Sequence, residues 1–174
     1  MADGLLIRDA EDSDAGAIAE IYAHHVLHGT ASYDEVPPTA ADTLAKLRRI
    51  NEAGWPFIVA ELDGRVVGYA YATQFRDRPA YRFTAENSIY VDAEFTGRGI
   101  GKAVLTALIE RSCSCGFRTI IAVIGGGEPA SVALHAALGF EEVGRLRAVG
   151  WKHGRCLDSV YMQLGSVREP IKTS

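Results

Sequence analysis

From Thr96 to Lys102 the chain reads Thr-Gly-Arg-Gly-Ile-Gly-Lys, glycines and basic residues interleaved. Glycine lets a backbone pass close to a ligand, and the first free N–H groups of a helix point at one. Arg98 and Lys102 put positive charge at the same end. Asn87 to Val91, before the run, reads as a strand. After it Ile100, Val104, Leu105, Leu108 and Ile109 repeat at helical spacing. Strand, glycine loop and helix make an anion site, and this one reads as a cradle for a pyrophosphate.

Two common phosphate motifs do not fit the run. A P-loop needs glycine where the chain has Thr96 and a magnesium-binding hydroxyl where it has Ala103. A dinucleotide fingerprint beginning at Gly97 needs glycine where the chain has Lys102. The chemistry therefore rests on what the flanking elements bring to the loop.

Leu5 to Arg8 is a short first strand, and Asp12 or Ser13 caps a helix carrying Ile18, Ile21, Tyr22 and Val26 on one face. His24, His25 and His28 lie at its end. No acidic or cysteine partner nearby completes a metal set, and cations are favourable at a helix C-terminus anyway. The loop that follows holds Tyr33, Asp34 and Glu35, which either face a ligand or are simply exposed. Thr39 caps a second helix that ends near Gly54. Phe57 to Glu61 and Val66 to Thr73 form a hairpin about Asp63-Gly64. Arg76, Arg78 and Arg82 then crowd the loop before the next strand. Surface charge is the ordinary role of an arginine, but a planar two-pronged guanidinium is also suited to an anionic substrate group. Beyond the glycine loop and its helix, Arg118 to Ile124 is a near-continuous apolar strand, as one buried on both faces should be. Pro129 opens a short helix closed by Gly139-Phe140, and Glu142–Val149 and Leu157–Leu164 are the last strands. The order β-α-α-β-β-β-α-β-α-β-β gives an α/β protein with a mixed sheet.

The 174 residues, 48% hydrophobic and 23% charged, suit one globular domain over residues 1–165, with a polar tail at 166–174. A net charge of −4 without a basic run leaves no electrostatic footprint for nucleic acid. No apolar stretch approaches the roughly 18 residues of a membrane span, and the N-terminus lacks a signal pattern, so no membrane role is expected. Cys113, Cys115 and Cys156 lack a metal-ligand spacing and read as reduced thiols of a cytoplasmic protein.

The run Thr96-Gly97-Arg98-Gly99-Ile100-Gly101 resembles the pyrophosphate loop of the GCN5-related N-acetyltransferases (GNAT), which hold acetyl-CoA. Ala130 to Phe140 resembles that family's second motif, a helix ending in Gly-Phe, and Thr84 to Val91 its central strand. Within the family the chain is most similar to the phosphinothricin and methionine-sulfoximine acetyltransferases, from about Leu6 to Leu164. That similarity includes the Tyr-Arg-x-Thr-x-Glu approach to the strand and Gly154-Arg155-Cys156-Leu157-Asp158. It implies the GNAT fold, a mostly antiparallel sheet flanked by helices. It further implies acetyl-CoA as co-substrate with no metal, a small amino-acid-like acceptor and a homodimer. Three departures stand out: Thr96 where Arg or Gln is usual, Asn87 where the subfamily commonly has His, and Glu128 where it commonly has Asn.

The resemblance also implies roles. Glu86, at the head of the coenzyme-side strand, is the candidate base that takes the amine's proton directly or through a water. Ser88, Ile89, Tyr90 and Val91 would bind the pantetheine arm like an added strand and polarise the thioester carbonyl. Gly97, Arg98, Gly99, Ile100, Gly101 and Lys102 would hold the pyrophosphate. His135 stands where many members place a tyrosine acid near the sulfur; acid, coenzyme contact and packed histidine all remain open. The expected substrate contacts are Tyr33, Phe75, Arg76, Asp77, Ala85, Glu86 and Asn87, with Arg76 on a carboxylate or an oxidised sulfur or phosphorus group. Acetylation of another amine, such as a peptide N-terminus or polyamine, or a non-catalytic acyl-CoA sensor, are the alternatives.

Overall fold

The computed structural model describes residues 4–165. The tail expected at 166–174 lies outside the described residues. Seven strands form one sheet: β1 (Leu5–Asp9), β2 (Phe57–Leu62), β3 (Arg65–Gln74), β4 (Thr84–Val91), β5 (Thr119–Gly125), β6 (Glu141–Lys152) and β7 (Arg155–Leu164). Their spatial order is β1-β2-β3-β4-β5-β7-β6, and β4–β5 is the parallel pair in an otherwise antiparallel sheet. The mixed sheet expected from the element order is the one observed.

Period-two alternation sorts the residues of the central strands onto two faces. On one face Ala70, Ala72 and Ala85 pack with Ile100, Val104, Leu105 and Leu108 of α3 (Ile100–Ser114). On the other, Phe57, Val59 and Tyr69 pack with Ile18 and Ile21 of α1 (Ala15–His28) and Leu47 and Ile50 of α2 (Ala40–Glu52). A short helix, α4 (Pro129–Ala136), follows β5. Each helix thus turns its apolar stripe to the sheet.

Local signals set most boundaries within a residue or two. Thr39 caps α2 by accepting from Asp42 N while Asp42 Oδ2 accepts from Thr39 N, a reciprocal box. The start of α1 differs from expectation. Asp12–Asp14 forms a single 3-10 turn, and α1 begins only at Ala15. The cause is Asp14, which is buried and accepts from Nη1 and Nη2 of Arg8 (2.7 and 2.9 Å) and from Glu11 N (2.8 Å). The final hairpin is also tighter than the gap from Gly150 to Cys156 between the two expected strands. His153 and Gly154, at φ 51° and 73°, turn it in two residues. A His-Gly pair is a weaker turn signal than Asn-Gly, so the strands were read too short.

Candidate active site

Pairing between β4 and β5 runs from Thr84↔Thr119 to Asn87↔Ala122 and stops there. β5 continues against β7 to Gly125↔Ser159, so Ser88 to Val91 diverge from their neighbour. The gap opens into a hollow of about 410 Å³, walled by Ile89, Tyr90 and Val91, by Thr96, Gly97, Ile100 and Gly101, and by Glu128 and Leu134. It meets a deeper cavity of about 230 Å³ at Ala31, Ile89, Tyr90 and Ser131. Glu86, Asn87, Ser88, Tyr33 and His135 line the deeper cavity. Together they make one cleft through a split sheet.

The outer end of the cleft is built for an anion. Gly97 (φ 75°) and Gly99 (φ 81°) are both left-handed, a conformation that side chains rarely adopt. Gly99 leads into α3, whose first backbone bond is Ala103 N to Gly99 O (3.1 Å). The N–H groups of Ile100, Gly101 and Lys102 precede that bond and remain free for a ligand, at the positive end of the helix dipole. Arg98 and Lys102 are exposed beside them, Arg98 resting 4.9 Å from the Phe95 ring centroid. The Thr96 hydroxyl donates to Ala93 O (3.1 Å) and so is spent on the turn.

His25 supports the middle of the cleft. Its Nε2 lies 2.8 Å from Val91 O, and a carbonyl only accepts, so Nε2 carries the proton. Burial holds the ring below the ordinary histidine range against the pull of that carbonyl, which keeps it neutral. The metal idea raised by three neighbouring histidines thus meets a ring committed elsewhere. Among the described residues, no group of three or more His, Cys, Asp or Glu gathers as a metal site.

At the inner end stands Glu86, about one-third exposed, with Oε2 3.6 Å from Arg76 Nη1. Burial raises the Glu86 carboxyl above its usual range, and Arg76 partly offsets this. A carboxylate so placed is a better base than an exposed one. Arg76 is held by its own neighbourhood: Nη1 donates to Phe75 O (2.8 Å), the guanidinium covers the Phe75 ring at 4.0 Å, and Gln74 Nε2 donates to Arg76 O (2.6 Å). Of the three arginines in this loop, Arg76 is the one that meets Glu86.

Other expected contacts fall differently. The Ala85 side chain is fully buried in the core against α3 and does not reach a ligand. Strand alternation explains it: the residue beside Glu86 must face the opposite layer. Phe75, Arg76 and Asp77 all lie outside the cavity wall; Arg76 and Asp77 are exposed on the loop, and Arg76 meets the cavity only through Glu86. Tyr33 does line the cavity, but its hydroxyl donates to Asp158 O (2.6 Å) and accepts from Gly126 N (3.2 Å). Gly150 backs onto its ring, where a Cβ would stand 2.8 Å from Tyr33 Cζ. Tyr33 therefore fastens the loop after α1 to the β5 and β7 ends.

The acid role open to His135 does not fit its surroundings. The ring is buried, 2% exposed. Nδ1 lies 2.8 Å from Ser131 O and must donate to it, so Nε2 of the neutral ring accepts from Asn87 Nδ2 (3.0 Å). Burial lowers its proton affinity, outweighing the Ser131 carbonyl. Neither nitrogen has a proton to give the cleft. His135 orients Asn87, whose Oδ1 is buried without a partner among the described residues.

Comparison with known proteins matches this architecture to a family. The family model described as "Acetyltransferase (GNAT) family" aligns with residues 16–140, from α1 through Phe140.

The chain belongs to the GNAT acetyltransferase family.

It is 48% identical over 158 residues to the phosphinothricin N-acetyltransferase of Alcaligenes faecalis, covering 90% of this chain and 80% of that one. It is 37% identical to the L-methionine sulfoximine/L-methionine sulfone acetyltransferase of Salmonella typhimurium, covering 92% and 94%. Among solved structures, a GNAT superfamily phosphinothricin acetyltransferase from Sinorhizobium meliloti in complex with acetyl-CoA superposes with a TM-score of 0.92 at 47% identity, covering 97% and 94%. This GNAT chain is an acetyl-CoA-dependent N-acetyltransferase. Its cleft offers groups that acetyl-CoA would need: free helix N–H groups and two cations suited to a pyrophosphate, and an unpaired strand edge suited to a pantetheine arm.

Several residues of this GNAT site had no sequence signal. His25 on Val91 O, Tyr22 bonded to Ser32 and Asp34, and Lys152 donating to Ser32 O (2.6 Å) join parts far apart in the chain. No spacing rule connects them.

Proposed function

We propose that this chain moves the acetyl group of acetyl-CoA to the α-amino group of a small amino acid or analogue, of the phosphinothricin, methionine sulfoximine or methionine sulfone type. The observation that carries this reading is the Arg76–Glu86 pair at the inner end of the cleft, an anion-binding group beside a base. An amino acid presents a carboxylate and an ammonium within a few ångströms, and the pair offers a complement to both. The relatives' names point to the same class of acceptor.

The ammonium loses a proton to Glu86, directly or through a water. The freed lone pair attacks the thioester carbon and the N–C bond forms; the C–S bond then breaks with its electrons leaving on sulfur, and the nitrogen's second proton is lost as the thiolate takes one up from solvent to leave as free thiol. The N–H groups of Ile89 and Val91, on the edge that β3 does not engage, stabilise the oxygen that becomes negative between those events. Gly97 to Lys102 fix the coenzyme so that the thioester reaches Glu86.

Thiol release from acetyl-CoA with methionine sulfoximine, methionine sulfone and phosphinothricin, set against spermidine and a peptide, tests the substrate class. Turnover of the three analogues alone is expected; turnover of spermidine or the peptide instead would overturn it. Arg76→Ala should raise the amino-acid KM by about tenfold or more, as loss of a charged hydrogen bond does, with acetyl-CoA affinity intact. Because Arg76 holds the Glu86 carboxyl down, the same variant should shift the acidic limb of the kcat/KM profile to higher pH. Unchanged kinetics would remove Arg76 from the site.

The working form is proposed to be a cytoplasmic homodimer. Edge strand β6 exposes Val143, Leu146, Val149 and Trp151, the last at 66%, apolar side chains along an unpaired edge that a second copy would cover. The three cysteines are exposed and free, a state that a reducing compartment keeps. No helix among the described residues is long and apolar enough to cross a membrane. Light scattering should give twice the 18.8 kDa chain mass, and a monomer at assay concentration would refute the pairing.

A further inference from the structure

A second hollow, of about 220 Å³, lies between α2 and the sheet, on the face that carries Glu86. Phe57, Tyr69 and Tyr71 form an aromatic wall: Phe57 is 5.9 Å from Tyr69 and 5.1 Å from Tyr71, centroid to centroid. Lys46 enters from α2. Its Nζ donates to the Tyr71 hydroxyl and stands 4.1 Å from the Tyr71 ring centroid. Among the described residues Lys46 makes no ion pair, although Asp42 stands one turn earlier on the helix. That carboxylate is taken by Thr39, accepting from its N (2.9 Å) and its hydroxyl (2.6 Å). Asp34, at the rim, accepts from Tyr22 (2.7 Å). An ammonium with three donors and one neutral partner thus faces an aromatic-walled space.

Strand register fixes where this space lies relative to the base. β3 pairs with β4 so that Thr73 opposes Glu86 and Tyr71 opposes Ser88. Cross-strand partners share a face, so Tyr71 is the diagonal neighbour of Glu86, at a backbone separation of about 7–8 Å. Tyr22 and Asp34 wall both this hollow and the cavity that holds Glu86.

We propose that the hollow is a specificity subsite for the far end of the substrate side chain, and that Lys46 with the Tyr71 hydroxyl binds an oxyanion there. This rests on the amino-acid reading given above. An amino acid whose nitrogen lies at Glu86 extends its side chain across the diagonal, and a terminal phosphinate or carboxylate reaches Lys46. The Tyr71 hydroxyl, already accepting from Lys46, has its own proton left to donate to the same group. The rings of Phe57 and Tyr69 shelter the methylenes between. Arg76 then serves the α-carboxylate, and the two cations divide the two acidic ends of one substrate.

The test compares phosphinothricin, with an anionic far end, and methionine sulfone, with an uncharged one, on wild type, Lys46→Met and Lys46→Arg. Methionine keeps the length and packing of the lysine stem. Lys46→Met is expected to raise the phosphinothricin KM by about 10–100-fold, the worth of a charged hydrogen bond. Its methionine sulfone KM and kcat should stay within about twofold of wild type, which also shows the variant folded. Lys46→Arg should recover most of the loss. Equal rises for both substrates, or no rise for either, would overturn the subsite while wild-type turnover left the amino-acid reading standing. A wild-type enzyme that acetylates neither compound would overturn both.

Discussion

Glu86→Gln is expected to lower kcat by about 10²–10⁴-fold, the usual contribution of a general base, with acetyl-CoA affinity unchanged. The amide keeps the shape and polarity of the side chain but cannot take a proton. Glu86 lies in the inner cavity, away from the glycine loop, so coenzyme binding has no reason to respond. The pH profile gives a second readout. Burial raises the Glu86 carboxyl, so the wild-type kcat/KM should climb as pH rises through that elevated value, the charged form being the active one. The variant should lose this limb. Steady-state rates from mildly acidic to mildly alkaline pH, with coenzyme affinity by calorimetry, check both parts. A near-wild-type rate with the limb retained would place the base elsewhere.

Gly99→Val should weaken acetyl-CoA binding by about 10²-fold. Gly99 sits at φ 81° and ψ −1°, immediately before α3. A β-branched residue there bears left-handed strain of about 1–2 kcal/mol and relieves it by moving the helix start. A displaced start turns the free N–H groups of Ile100, Gly101 and Lys102 away from the pyrophosphate, and charge-assisted bonds are lost with them. A Cβ at Gly99 meets nothing within 4 Å, so crowding by the rest of the protein adds no cost, and the strain argument stands alone. Calorimetric titration with coenzyme A and the acetyl-CoA KM check the figure. An unchanged affinity would show that the loop tolerates a side chain and that the backbone cradle is not what binds.

Sequence reading served well where cause and effect are local. The glycine run, the helix after it, the Thr39 cap and the Asp63-Gly64 turn each depend on a few consecutive residues, and each appears in the structure. The strand before the glycine loop was also readable, and its last residues, Ile89 to Val91, do end beside that loop. Ala85 was not. A period-two strand sends neighbours to opposite layers, and a stretch named for its nearness to the base includes residues that face away. His135 misled for another reason: its partners, Ser131 O and Asn87, fix the proton on the wrong nitrogen for an acid. Tautomers depend on the fold. The Lys46–Tyr71 contact joins α2 to β3, and nothing in the spacing of the two residues announces it.

The divergence of β4 from β5 has a consequence for the protein's life without its co-substrate. A sheet that parts at Asn87↔Ala122 leaves four residues of central strand with one edge unzipped, deep in a layer where backbone groups are ordinarily paired. In the proposed binding mode acetyl-CoA adds the missing partner there, so that filling the cleft and completing the sheet are one event. By mass action the melting temperature must track coenzyme concentration, gaining about 2.7 kcal/mol at a hundredfold excess over Kd. Starved of acetyl-CoA, the molecule carries an open seam, and the N–H groups of Ile89 and Val91, which alternate away from β3, are the ones whose exchange the coenzyme should slow.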